Sequence, residues 1–173
     1  MKIGVPRETA AGERRIALVP ESAKKLVEQG NEVVIEKARS ASVDFPDAAY
    51  VAAGARIAAD AGEVLAGSDL VLKIQPPSEA EIASLRTGAV LVAILQPFQN
   101  GDTVRRLAEK SVTSFSLDLL PRITRAQAMD VLSSMSTIAG YKGVLIAAAA
   151  LPKMVPLLMT AAGTLKPARF LIL

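Results

Sequence analysis

The 173 residues contain no histidine, no cysteine and no tryptophan. Lack of histidine removes the commonest general base and the commonest metal ligand together. Lack of cysteine excludes disulfides, thiolate metal sites and thiol nucleophiles, and is compatible with a reducing compartment. Aromatic residues are only 3% of the chain, so the stacking platforms of a nucleic-acid reader are missing. The net charge of +3 and the pI near 9.3 come from bases dispersed among acids, not from a basic stripe. No apolar leader follows Met1, and the longest apolar run, Gly143 to Leu151, has about half the roughly 20 residues of a membrane-spanning helix. On that run alone the chain is not expected to cross a membrane. Neither a Gly-x-Gly-x-x-Gly fingerprint nor a P-loop occurs, so no phosphate cradle is readable as a motif.

What is present is core. Hydrophobic residues make up 51% and charged ones 21% of a chain long enough for one well-buried domain. Lys2 to Pro6 reads as a strand closed by proline, followed by a polar loop, a helix over Glu21 to Gln29 stopped by Gly30, and a strand over Glu32 to Lys37. The pattern recurs as a helix over Pro46 to Gly54, a strand over Ala55 to Ala58, a helix over Asp60 to Ser68 and a strand over Asp69 to Ile74. Ser78 and Glu81 have capping-box spacing before a fourth helix, and Ala89 to Leu95 is a further apolar strand. Asp102 is expected to cap a helix to Lys110, ahead of a strand over Val112 to Leu119. Strands rich in Val, Ile and Leu alternating with helices predict an α/β, Rossmann-like or flavodoxin-like, mostly parallel sheet covered on both faces. Ligands of such sheets lie beyond the strand C-termini, which singles out three loops. They carry Arg14 and Arg15, then Lys73 and Gln75, then Gln96 to Asn100.

From Thr124 the character changes. Thr124 and Gln127 have capping-box spacing, and a long helix is expected from there to about Ala150. Small residues at Ser133, Ser136, Ala139, Gly140 and Gly143 suit close approach of another backbone, as between lobes or subunits. A short helix over Val155 to Ala162, a turn, and a closing apolar strand over Ala168 to Leu173 complete the reading. A closing strand with nothing to cover it implies a fragment of a longer chain; a strand added to the existing sheet's edge is the alternative.

The chemistry is sparse. Arg14 and Arg15 can clamp an anion or serve as surface charge balanced by Glu8 and Glu13. Lys73, inside an apolar strand, either snorkels at the sheet's end or points into a cleft. Arg122, Gln127 and Asp130 offer a fork of donors, an amide and a carboxylate, with Ser133 and Ser134 along the same helical strip. Such a set can hydrogen-bond an amide-bearing ring and a ribose, but Asp130 beside an arginine stays ionised and is poorly suited to acid/base work. The plain alternative leaves Gln127 in a cap, Asp130 in solvent and Arg122 as loop charge.

The stretches MKIGVPRE, ERRIALVP, DLVLKIQPP, RITRAQAMDVLSSMSTIAGYKG and TAAGTLKPARFLIL together resemble the alanine dehydrogenase and transhydrogenase superfamily along essentially the whole chain. The last three are similar to the NAD(H)-binding α subunits of proton-translocating NAD(P) transhydrogenases. The resemblance implies that the Arg-x4-Gln-x2-Asp loop, here Arg122, Gln127 and Asp130 with Ser133 following, lies beside the nicotinamide of NAD(H). It further implies direct hydride transfer from NADH to NADP⁺, with NADP(H) held on a partner β subunit or domain and the transfer coupled to proton translocation by membrane-embedded transhydrogenase subunits, a homodimer, and a cytoplasmic place peripheral to the inner membrane. Alanine dehydrogenases would match their substrate-carboxylate residues to Arg15 and Lys73, but their catalytic histidine falls at Gln96, which speaks against amino-acid oxidation. A non-catalytic assembly fragment is the third reading. The domains expected are an N-terminal α/β domain over 1–121, a nicotinamide-contacting loop and linking helices over 122–165, and the first strand of a truncated Rossmann domain over 166–173. The fragment alone is expected to be inactive.

Overall fold

A computed structural model describes residues 1–37 and 45–171. Six strands form one parallel sheet: β1 (Lys2–Val5), β2 (Glu32–Glu36), β3 (Arg56–Ala58), β4 (Leu70–Leu72), β5 (Val90–Ala93) and β6 (Thr113–Ser116). Five helices connect them: α1 (Pro20–Glu28), α2 (Asp47–Ala52), α3 (Ala61–Gly67), α4 (Glu79–Ser84) and α5 (Gly101–Glu109). The order β3-β2-β1-β4-β5-β6 reverses direction between β1 and β4, which opens a crevice beyond the C-termini of those two strands. Each strand and helix foreseen up to β6 is present within a few residues.

Strand residues on both faces are buried. Ile3, Val33, Val34, Val71 and Leu91 lie at 1% exposure or less, as expected of strands sandwiched between helix layers. Gly4 lets α3 approach β1: a Cβ there would lie 2.2 Å from Ser68 Oγ and 2.8 Å from Val64 Cγ1. Gly30 stops α1 as expected, its left-handed φ of 84° costing no side-chain clash while its N–H donates to Val27 O. The Ser78 and Glu81 capping box is formed in full.

Several local expectations are corrected. Asp102 does not cap α5. Asn100 holds the N-cap position, and Asp102 in the first turn pairs with Arg105 at 2.7 Å. No capping box forms at Thr124 and Gln127. Thr124–Met129 winds as a 3-10 turn, and the long helix α6 (Val131–Ala150) starts later. Asp130 is its N-cap, with Oδ1 accepting from Leu132 N at 3.1 Å and Ser133 N at 3.0 Å. A short acidic side chain satisfies the first amides better than a continued helix could, so the helix breaks at Asp130. The helix expected over Val155 to Ala162 is instead the first arm of a hairpin, β7 (Leu158–Thr160) paired antiparallel with β8 (Gly163–Leu165). Pro156 lacks the amide a helix would use, and the chain turns back through Ala161 and Ala162 into Gly163, whose φ of 129° opens β8. Ala168 to Leu171 form no strand; Ile172 and Leu173 lie outside the described residues. A strand needs a neighbour to take its ladder hydrogen bonds, and among the described residues no strand pairs with this segment.

Two compact units emerge, Met1–Met129 and the remainder from Asp130. α6 is long and apolar enough, by length and composition alone, to cross a bilayer, and none of its residues is buried.

Candidate functional site

The crevice between β1 and β4 is filled by the protein's own charges. Lys73, only 3% exposed, donates from Nζ to Glu81 Oε1 at 2.6 Å and lies 3.5 Å from Glu8 Oε2. Glu8 reaches it from the loop after β1 and also accepts from Ile74 N at 2.5 Å and Gln75 N at 3.3 Å. Glu81 reaches it from α4, where its other oxygen takes the Ser78 amide. The lysine therefore neither snorkels nor enters an open cleft. Removing charges from water costs several kcal/mol per ion, and this trio recovers it through short contacts and added amide donors. Among the described residues no buried side-chain polar atom lacks a partner.

One layer further out, Arg15 is bidentate to Glu13, with Nε at 2.8 Å and Nη2 at 2.6 Å. Glu13 also accepts from Gln75 Nε2 at 2.7 Å, so the polar loop is fastened to the end of β4. The Arg15 bond, with help from Gln75 and the Arg15 amide, outweighs burial and holds the Glu13 carboxyl down at about 2. This is the surface-charge alternative for Arg15, in which internal carboxylates neutralise the cations at the switch point. Glu8, Glu13 and Glu81 are visible in the sequence as loop and helix acids, but nothing in their spacing links them to Lys73 or Arg15.

The second set of residues lies after β6. Arg122 is exposed in the loop, and Gln127 is exposed on the 3-10 turn, next to the buried Ala126. Among the described residues of Met1–Met129, neither side chain has an ion pair or hydrogen bond. Asp130 and Ser133 are brought together at the start of α6, where Ser133 Oγ donates to Asp130 Oδ2 at 2.6 Å. Ser134 Oγ donates to Asp130 O at 3.2 Å. The unit boundary passes between Met129 and Asp130, so the four residues belong to two units, and Gln127 and Asp130 do not share one continuous helical face. Each unit has its own groups: Arg122 and Gln127 bring a guanidinium and an amide on the first, Asp130 and Ser133 a carboxylate and a hydroxyl on the second. None of the four is a histidine or a cysteine.

A third feature is not foreseen from the sequence. Gln96, at the end of β5, has a left-handed φ of 47°. Its N–H donates to Asp118 Oδ1 at 3.3 Å, and its carbonyl accepts from Gln99 N at 2.9 Å and Asn100 N at 3.0 Å. The only sequence signal is the location of Gln96 in a loop beyond a strand C-terminus.

A six-stranded parallel sheet in this order, with helices between successive strands and a switch point closed by the protein's own charges, defines an α/β domain of Rossmann-like type. The chain belongs to the family described as alanine dehydrogenase/PNT, N-terminal domain, which it matches over residues 4–139. Within that family its likeness is to transhydrogenases. It is 42% identical to an NAD(P) transhydrogenase subunit alpha polypeptide of Rhodospirillum rubrum, over 99% of this chain and 46% of that protein. The solved transhydrogenase of Sinorhizobium meliloti superposes with a TM-score of 0.91 at 40% identity, covering 97% of this chain and 50% of that one. A solved L-alanine dehydrogenase gives a TM-score of 0.78 at 30% identity, covering 86% and 40% respectively. The chain thus spans about half the length of these relatives.

Proposed function

We propose that this chain is the N-terminal part of an NAD(H)-binding transhydrogenase subunit. In the intact protein, NADH held here supplies hydride directly to NADP⁺ on a partner subunit or domain, and the transfer is coupled to proton translocation by membrane-embedded subunits. The observation that carries the reading is the segment Arg122 to Ser133, which offers positioning groups and no proton carrier, in a chain without histidine. Direct hydride transfer asks for no side chain to move a proton.

Arg122, Gln127 and Asp130 would hold the carboxamide and ribose, with Ser133 steadying the Asp130 carboxylate. The gain is one of orientation: fixing the reacting ring removes rotational freedom that would otherwise be lost at the transition state. The expected divisions 1–121, 122–165 and 166–173 then separate scaffold, nicotinamide contact and the opening of a cofactor lobe. A homodimer on the cytoplasmic face, peripheral to the inner membrane through its partners, completes the proposal. The 173 residues alone are inactive in this reading, because the adenine and pyrophosphate need the further lobe.

Amino-acid oxidation is disfavoured by two features. By the resemblance, Gln96 falls at the position of the alanine dehydrogenase histidine, and Arg15 and Lys73 are already neutralised by Glu13, Glu8 and Glu81. In the intact assembly, Gln127→Asn should slow NADH to NADP⁺ hydride transfer by roughly tenfold or more while NADH affinity stays within about twofold. Single-turnover absorbance and an NADH titration measure the two separately. An unchanged transfer rate overturns the assignment of Gln127.

A further inference from the structure

Neighbouring strands β5 and β6 end in two loops that share one carboxylate oxygen. Asp118 Oδ1 accepts from Ser116 Oγ at 2.5 Å and from Gln96 N at 3.3 Å. The same Ser116 hydroxyl oxygen accepts from Leu95 N at 3.1 Å. Leu95, Gln96, Ser116 and Asp118 therefore form a clasp in which every contact crosses from the β5 end to the β6 end or closes within the turn after β6. The clasp begins at Ser116, which with Ala93 forms the last register pair joining β5 to β6.

Its position has consequences on both sides. Toward β5 it takes up the amide of Gln96, whose left-handed backbone an L-residue adopts only when its surroundings impose it. Gln96 then starts the turn that places exposed Phe98 and leads into α5. Toward β6, Asp118 sits in a single 3-10 turn, Leu117–Leu119, three residues before Pro121. From there the chain runs directly to Arg122 and the 3-10 turn bearing Gln127. Burial raises the Asp118 carboxyl, but the Ser116 hydroxyl and the Gln96 and Leu95 amides outweigh it, and the group sits below its ordinary value. The acceptor is therefore an ionised carboxylate at neutral pH.

We propose that Asp118 is a positioning residue for hydride transfer, acting through the two loops it joins: the Gln96 turn and the segment bearing Arg122 and Gln127. The proposal rests on the function given above for Arg122 and Gln127 and adds the element that holds their approach. Asp118 itself touches no cofactor. Its work is to keep the loop after β6 in register with the loop after β5, so that the chain leaves the sheet toward Arg122 and Gln127 from a fixed point.

Asp118→Ala removes the acceptor, Asp118→Asn keeps an oxygen of the same reach without the charge, and Ser116→Ala removes the bridging hydroxyl and serves if the first variant fails to fold. Amide exchange of the full chain is read at Gln96 to Asn100 and Ile123 to Met129, with β1 and β4 amides as internal reference. The expected result is exchange roughly tenfold faster in both loops for Asp118→Ala, recovery in Asp118→Asn, and no change in the reference strands. In the intact assembly, the same Ala variant should lose roughly tenfold in single-turnover transfer rate with the NADH KM within about twofold, and Asn should recover most of that rate. Unchanged exchange in either loop overturns the coupling. Exchange that rises equally throughout the sheet overturns it as well, since that marks general destabilisation. Faster loops with an unchanged transfer rate overturn the positioning role. A wild-type assembly that transfers no hydride instead overturns the function proposed for the chain, and the exchange measurement still decides the clasp.

Discussion

Glu13 shows how one side chain can close a site that its neighbours seem to leave open. An arginine beyond a strand C-terminus reads as an anion clamp, yet its fork is filled by a carboxylate two residues earlier. The Glu13 carboxyl titrates at about 2 when folded, below the roughly 4.3 of an unfolded glutamate. A depressed folded value means the stabilisation is present in full above the unfolded pKa and disappears as pH falls toward 2. Glu13→Gln should therefore lower stability by about 1 kcal/mol at pH 7, a figure reduced because Arg15 is partly exposed to solvent. Urea midpoints of variant and wild type should converge as the pH drops from about 4.5 toward 2. A difference that persists undiminished at the acid end would show that the ionised pair is not its source. Lys73 makes the complementary point. Its place in an apolar strand marks it as anomalous, but the two acids that settle it arrive from a loop and a helix, and only the fold brings them together.

Among the elements, the sheet and its helices are legible because each carries its own signal. Continuous Val, Ile and Leu runs mark buried strands, Gly30 ends α1, and the Ser78 and Glu81 pair opens α4. The start of α6 is misleading in the sequence because two capping patterns compete six residues apart, and spacing alone cannot rank them. Thr124 and Gln127 fit the sequence pattern, while Asp130 offers one carboxylate to two amides and a hydroxyl at once. The hairpin at Leu158 is hidden because helical apolar spacing conceals the two breakers, Pro156 and Gly163. The clasp at Asp118 has no sequence signature at all, since it depends on β5 and β6 being neighbours. Asp130 is thus both the cap of α6 and a proposed cofactor ligand, and the two roles can be separated. Without cofactor, Asp130→Ala should cost the first turn of α6 about 1 kcal/mol, seen as faster amide exchange at Leu132 and Ser133, whereas Asp130→Asn should cost only a few tenths. Equal exchange in all three proteins would remove Asp130 as the determinant of that helix end.

Across the whole molecule, burial and charge divide at the same boundary. Every buried hydrophobic residue among those described, from Ile3 to Ala126, belongs to Met1–Met129. The excess of +3 arises entirely after it, from Asp130 and the four bases Lys142, Lys153, Lys166 and Arg169, which leaves acids and bases equal in number before it. Burying each large aliphatic side chain contributes on the order of 1.5–3 kcal/mol against the entropy of ordering the chain, so the driving force for cooperative folding is concentrated in the first unit. α6, with nothing buried, must draw its helicity from its Asp130 cap and its alanine-rich second half. It follows that residues 1–129 expressed alone should fold and unfold in urea as one transition, with a midpoint within about 0.5 M of that of the full chain. Amides of β1, β4 and β5 should keep their protection in the shortened protein. In the full chain, α6 amides should exchange far sooner than those strands, by local opening. A shortened protein that fails to fold, or α6 amides as protected as β1, would mean that the second unit carries part of the stability of the first, and the cores would then have to be counted as one.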